Sequence, residues 1–165
     1  MKNLYLLAVI VLGSIGCNKE AQTDEKETSK EAAVEESVFD EALAKKLGAD
    51  DYGMKMYVMA FLKEGPNRDL DSAATADLQR QHLDNIVRMA EEGKLSLAGP
   101  FAADGNPVRG IYIFNVSSIE EARALTETDP AIQAGSLEME LRQWYGSAAV
   151  QLINENHFKV AKKNI

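Results

Sequence analysis

The chain has few side chains that exchange protons near neutral pH, and His82 is the one whose position favours such chemistry. It lies in the apolar arc of an amphipathic helix predicted over residues 73–92, so we expect it to face a sheet. Two interpretations stay open for His82. It is either a partly buried histidine satisfied by one hydrogen bond or a group that transfers protons.

Asp129 is the second candidate because a carboxylate is unusual where the sequence places it. The capping box Ser118 to Glu121 predicts a helix that runs to Thr128, and Asp129-Pro130 then ends it. A negative group at that end faces the negative pole of the helix dipole. Asp129 either belongs to a helix-stopping turn or orients His82 and fixes its tautomer. No Ser or Cys nucleophile is placed beside the two residues, so the pattern favours proton transfer over acyl transfer.

Four further residues are candidates for contact with a substrate. Phe101 follows the rigid Gly99-Pro100 strand end and could line a pocket mouth, or it belongs to the turn and core. Arg142 and Trp144 share one face of the last strand, where Arg142 either holds an anionic substrate or forms a surface salt bridge. Tyr112 lines a cavity or the core, and the sequence does not separate these two possibilities.

The elements that must position these residues follow the order β-α-β-β-α-β, which is typical of a ferredoxin-like α+β fold with an antiparallel sheet. The predicted strands and helices cover residues 54–62, 73–92, 95–101, 108–116, 118–128 and 137–145. The helices of that fold cover one sheet face, yet the first strand is apolar on both faces. A second copy of the sheet is the simplest cover, so we expect a homodimer.

The N-terminus predicts a sorting signal. Lys2 precedes the apolar run Leu4–Leu12, and Ser14-Ile15-Gly16-Cys17 resembles a bacterial lipobox. We expect residues 1–17 to be a lipoprotein signal peptide and Cys17 to carry the lipid that anchors the protein at the bacterial cell envelope. Asn18 favours the outer membrane over the inner. The alternative is a short buried helix with a free cysteine.

Charge and composition divide the rest of the chain. Residues 18–33 contain no large apolar side chain and predict a disordered acidic tether. Residues 34–53 predict an N-terminal helical extension with a helix at 34–47, and residues 147–165 predict a helical C-terminal tail. The net charge of −8 argues against binding to nucleic acid. One cysteine and two histidines exclude Cys-based or His-rich metal clusters, so we expect no metal and no other cofactor.

Residues 54–146 resemble the YCII family, a branch of the dimeric α+β barrel superfamily. The resemblance rests on an ordered set of short motifs: Gln81-His82-Leu83, Gly93, Ala98-Gly99-Pro100-Phe101, Asp129-Pro130, Gly135 and Trp144. It implies an active site built from a histidine and an aspartate, and these positions fall on His82 and Asp129. Some relatives with this barrel are isomerases or lyases of small ring compounds that act by acid–base chemistry.

These observations lead to two hypotheses from different classes. The first is an envelope-anchored protein that binds an unidentified small molecule beside a His–Asp pair and catalyses isomerase- or lyase-like proton transfer. The second is a non-catalytic module for ligand binding or protein interaction at the envelope. One barrel hosts many chemistries, so the fold does not choose between them.

Overall fold

The computed structural model of the protein describes residues 39–163. The predicted signal peptide, the tether and the first residues of the helix predicted at 34–47 lie outside this range. The described elements, in chain order, are α1 (Glu41–Leu47), β1 (Met54–Glu64), α2 (Ser72–Glu91), β2 (Leu95–Pro100), β3 (Val108–Phe114), α3 (Ile119–Thr126), α4 (Pro130–Gln133), β4 (Leu137–Ser147), a 3₁₀ helix (Ala148–Gln151) and α5 (Leu152–Val160).

The four strands form one sheet in the order β2-β3-β1-β4, and every neighbouring pair is antiparallel. This topology confirms the predicted ferredoxin-like α+β fold. The core lies on the face covered by α2 and α3, where alternate β1 residues Val58, Ala60 and Leu62 pack with Met89 and Phe114. Burial of these side chains holds the helices against the sheet.

Local capping fixes where the helices begin. The side chain of Asp71 accepts the backbone N–H of Ala74 at 2.8 Å and starts α2. Ser118 accepts the N–H of Glu121 at 3.2 Å and starts α3, as the capping box predicts.

The end of the second helix differs from the sequence prediction. α3 stops at Thr126 instead of continuing to 128, and Asp129 begins the separate short helix α4 with Pro130 in its first turn. Aspartate is favoured as an N-cap and proline as the first helical residue, so the dipeptide starts a helix as well as ending one. Asp129 therefore lies at a helix N-terminus, where a negative charge is stabilised.

The second sheet face is covered at one end by the chain that follows β4. The hydroxyl of Tyr57, which alternation places on this face, lies 3.2 Å from the carbonyl oxygen of Ala148 in the 3₁₀ helix. Elsewhere on the face Met59, Phe61, Leu97 and Ile111 stay half-buried. The described chain therefore leaves much of this apolar face open.

The C-terminal tail is helical, as predicted, through α5. Its apolar residues Ile153, Phe158 and Val160 are exposed, and the His157 ring packs against Phe158 rather than reaching the core. None of the helices within residues 39–163 is both long enough and apolar enough to cross a bilayer.

Close contact between two backbone segments makes Gly65 a point of sensitivity. Its N–H donates to the carbonyl of Ser136, and a Cβ atom at this position would lie 2.2 Å from the carbonyl oxygen of Gly135. We expect Gly65→Ala to lower the free energy of unfolding by about 1–3 kcal/mol, because the backbone must shift to admit the methyl group. Chemical denaturation measures it. Gly99→Ala is the matched control, since a Cβ there meets nothing within 4 Å. Equal free energies of unfolding for the two variants would contradict the close contact at Gly65.

Candidate functional site

A buried hydrogen bond joins the two residues that the sequence singles out. α2 supplies His82, and the turn between α3 and α4 supplies Asp129. The Nδ1 atom of His82 lies 2.7 Å from Oδ2 of Asp129. Asp129 is fully buried and His82 is 7% exposed. The predicted hydrogen bond between them is therefore present, and it lies between the helices and the sheet.

The carboxylate of Asp129 is held at both oxygens. Oδ2 faces the His82 ring, while Oδ1 accepts the backbone N–H of Ala131 at 2.9 Å. The second bond is the N-cap of α4. The capping bond fixes the direction of the carboxylate, and the carboxylate in turn fixes the plane of the imidazole.

Tyr112 of β3 completes the group from the sheet side. Its hydroxyl oxygen lies 3.3 Å from Nε2 of His82, and the residue is 2% exposed. Burial, reinforced by the negative charge of Asp129, raises the pKa of Tyr112 well above its usual value. The phenol therefore keeps its proton. With the phenol as the donor to Nε2, the ring proton of His82 lies on Nδ1 and is donated to Asp129.

Asn85 lies one helical turn after His82 and was not predicted as a site residue. Its Oδ1 accepts from Nη2 of Arg88 at 2.7 Å, and it lies 3.2 Å from the hydroxyl oxygen of Thr128. Its Nδ2 atom is buried and has no hydrogen-bond partner within the described residues. The sequence places Asn85 on the polar arc of α2, so its burial was not expected. Its spacing of three residues from His82 was the signal that the two side chains lie near each other.

The structure does not bring the other predicted contact residues to the pair. Arg142 and Trp144 lie on the opposite sheet face, where Arg142 forms an ion pair with Glu140 and Trp144 packs on Tyr57 with ring centroids 5.7 Å apart. The salt-bridge interpretation of Arg142 is thus the one that the geometry supports. Of the four candidates, Tyr112 alone contacts His82.

The expectation of a pocket lined by Phe101 beside the pair is wrong. β2 ends at Pro100, and Phe101 lies in the following loop with half of its surface exposed. The cleft nearest to the pair along α2 and α4 has a volume of about 220 Å³, and its lining contains neither Phe101 nor any of His82, Tyr112 and Asp129. Its walls include Leu78, one helical turn before His82, and Ala131, whose N–H binds Asp129. Arg68 is the cationic residue of the lining.

Within residues 39–163 no group of three or more His, Cys, Asp or Glu side chains is arranged to hold a metal ion. The described site offers an imidazole, a phenol and a carboxylate. These three groups are suited to holding and moving protons.

Residues 56–145 match the YCII-related domain, which covers just over half of the chain. The chain belongs to the YCII family. This confirms the family resemblance drawn from the short motifs. Both His82 and Asp129 lie inside the matched YCII domain, whereas α1 and α5 lie outside it.

Two other proteins are similar to this chain. The uncharacterized protein YjpA of Bacillus subtilis (strain 168) is 30% identical over 63 residues, which are 38% of this chain and 71% of YjpA. A solved structure of 5-chloro-2-hydroxyhydroquinone dehydrochlorinase (TftG) from Burkholderia phenoliruptrix AC1100, in complex with 2,5-dihydroxybenzoquinone, is 18% identical. It covers 55% of this chain and 93% of its own, with a TM-score of 0.40. A likeness of this degree supports no statement about the reaction of the present chain.

Replacing Asp129 should move the ring proton of His82. In Asp129→Asn, the amide oxygen keeps the N–H of Ala131 and the NH₂ group faces Nδ1, which must then accept. The proton moves to Nε2 and leaves the Tyr112 hydroxyl hydrogen without an acceptor. We expect the free energy of unfolding to fall by about 1–3 kcal/mol. The ¹⁵N chemical shifts of the imidazole nitrogens report the tautomer.

Asp84→Asn is the matched control, since Asp84 lies on the exposed side of α2 in an ion pair with Arg80. It should leave the His82 shifts and the stability unchanged within about 0.5 kcal/mol. A ring that keeps its proton on Nδ1 in Asp129→Asn would show that the assigned tautomer is wrong.

Proposed function

We propose that the protein binds a small molecule and transfers a proton at the buried pair of His82 and Asp129, in an isomerase- or lyase-like reaction. The observation that carries the proposal is the hydrogen bond of 2.7 Å between an almost enclosed imidazole and a fully buried carboxylate. A buried polar pair is a weak source of stability, because apolar residues of similar volume often stabilise a core equally well. A histidine and a carboxylate placed together by separate elements are a pairing suited to general acid–base chemistry.

The geometry assigns a role to each group. Asp129 accepts the Nδ1 proton and so leaves Nε2 as the basic nitrogen of the ring. The Tyr112 hydroxyl lies against Nε2, so a substrate proton reaches the ring through that hydroxyl. The phenol takes a proton from the substrate as it passes its own to Nε2. The resulting imidazolium is stabilised by the negative charge of Asp129, and return of the proton to a different substrate atom completes an isomerisation.

Two neighbouring features support a ligand at this position. The cleft of about 220 Å³ shares the walls of α2 and α4 that carry the pair, through Leu78 and Ala131. The unpaired Nδ2 of Asn85 is a buried donor one helical turn from His82. A ligand acceptor at Nδ2 would offset the penalty of about 1–3 kcal/mol for leaving such a donor unpaired.

The test is a thermal-shift screen of small metabolites, followed by turnover assays on each compound that binds. We expect His82→Gln and Tyr112→Phe to lower turnover by about a hundred- to ten-thousand-fold, the range that general acid–base catalysis contributes. His157→Gln is the matched control, because His157 is an exposed imidazole on α5. Turnover that survives in both site variants would exclude the proposed mechanism.

A non-catalytic binding or interaction module is the second candidate, and the enclosure of the pair favours it. Asp129 has no exposed surface, and Tyr112 occupies Nε2 of His82. The same screen separates the two functions. A module of this kind would bind compounds without turnover, and the site variants would change stability more than binding.

We propose that the protein is held at the bacterial envelope, at the outer membrane, by a lipid on Cys17. Support comes from the order of Lys2, the apolar run and the Ser14–Cys17 segment, which lie outside the described residues. Mass spectrometry of the mature N-terminus should find Cys17 as the first residue, with acyl chains attached. Cys17→Ser should abolish both changes. A mature chain in which Gly16 still precedes an unmodified Cys17 would contradict this proposal.

We also propose a homodimer joined through the open sheet face. The half-buried apolar side chains of Met59, Phe61, Leu97 and Ile111 support it, because a soluble chain rarely leaves such a patch exposed. Sedimentation of a chain beginning at residue 34 should give twice the mass of one chain at micromolar concentration. Leu97→Lys should halve that mass, whereas Tyr52→Lys, at a site 87% exposed and outside the sheet, should not. A monomer at all concentrations tested would exclude the dimer.

A further inference from the structure

A second cleft lies where β3 leaves the sheet, and neither His82 nor Asp129 lines it. Its volume is about 390 Å³. We call it the basic cleft and define it by the lining residues Lys55, Met56, Lys94, Asn115, Val116, Ser117 and Glu121. The proposed proton transfer does not use the residues of this cleft, so the cleft needs an explanation of its own.

Lys55 places an ammonium group in the basic cleft without a carboxylate partner. Its Nζ donates to Oδ1 of Asn115 at 2.8 Å, and burial lowers the pKa of the amine. Within residues 39–163, neither Lys55 nor Lys94 forms an ion pair. Other cations of the domain do, such as Lys63 with Glu140 and Arg109 with Glu64. The Lys55 ammonium also lies 5.3 Å from the centre of the Tyr57 ring, so its contacts are an amide oxygen and an aromatic face, with no carboxylate among the described residues.

The acidic residue of the lining, Glu121, makes a contact of its own. Oε2 of Glu121 accepts from the hydroxyl of Ser118 at 3.3 Å, in the capping box of α3. Asn115 is fixed as well, because its Nδ2 donates to the carbonyl of Gly93 at 3.0 Å. The polar wall is thus positioned by contacts within the protein.

The strand edge at the basic cleft adds a backbone donor. Pairing of β1 with β3 begins at Val58, so Met56 has no β3 partner. The N–H of Met54 donates to Oδ1 of Asp50 at 2.9 Å, on the side away from β4. Peptide groups of an antiparallel strand alternate between its two edges, so the N–H of Met56 points to that same side. The N–H of Met56 therefore borders the basic cleft.

We infer that the basic cleft binds a small oxyanion, a phosphate or carboxylate group, through the ammonium groups of Lys55 and Lys94 and the backbone N–H of Met56. Charge-assisted hydrogen bonds from ammonium groups to an oxyanion are stronger than those between neutral groups. The half-buried position of Lys55 shields that bond from salt more than an exposed lysine would.

The experiment is a titration of the purified protein followed by ¹H–¹⁵N NMR, with inorganic phosphate in one arm and succinate in the other. Sodium chloride at matched ionic strength is the reference. We expect saturable shifts of the Met56, Val116 and Ser117 amides in at least one arm. The arm with the lower Kd identifies the oxyanion as phosphate or carboxylate. Lys55→Gln should raise that Kd about tenfold or more.

Lys159→Gln is the matched control, because Lys159 lies on α5 and donates to Asn156. It should leave Kd unchanged, as should His82→Gln. If Lys55→Gln does not fold, Lys94→Gln tests the same site from an exposed position. The inference is overturned if neither anion saturates, if chloride gives the same shifts, or if folded lysine variants keep the wild-type Kd. A Kd that rises in His82→Gln would place the anion at the buried pair and overturn it as well.

Discussion

β1 is the strand on which the rest of the fold depends. It pairs with β4 along its whole length and with β3 from Val58 onward, so both halves of the sheet are attached to it. It is also apolar on both faces, which demands a cover on each side. α2 and α3 supply one cover, and the 3₁₀ helix after β4 supplies part of the other through Tyr57. The site and the open face both follow from this arrangement.

The site is a polar group inside the apolar layer between β1, β3 and α2. Low polarity strengthens a hydrogen bond that is made and penalises one that is missing. His82, Tyr112 and Asp129 thus satisfy one another, whereas Asn85 keeps a buried donor without a partner in the described residues.

Apolar runs, turn residues and capping signals predicted the four strands, α2 and α3. Helical periodicity predicted the side of α2 on which His82 lies. Two things escaped it. α4 has four residues, too few for a helical period, so the role of Asp129 as an N-cap was not visible. The contact of Tyr112 with His82 depends on the packing of β3 against α2, which no local pattern records. One further signal was available, since the apolar Leu137, Met139 and Leu141 face the helices and so direct Arg142 to the other side.

The two carboxylate oxygens of Asp129 contact a catalytic candidate and form a helix cap. One oxygen holds the proton of the His82 ring, and the other holds the first turn of α4, where Ala131 forms part of the wall of the cleft nearest to the pair. The same carboxylate thus orients the imidazole and caps the helix that carries that wall. A substitution at Asp129 therefore reaches both the imidazole and the wall of the cleft.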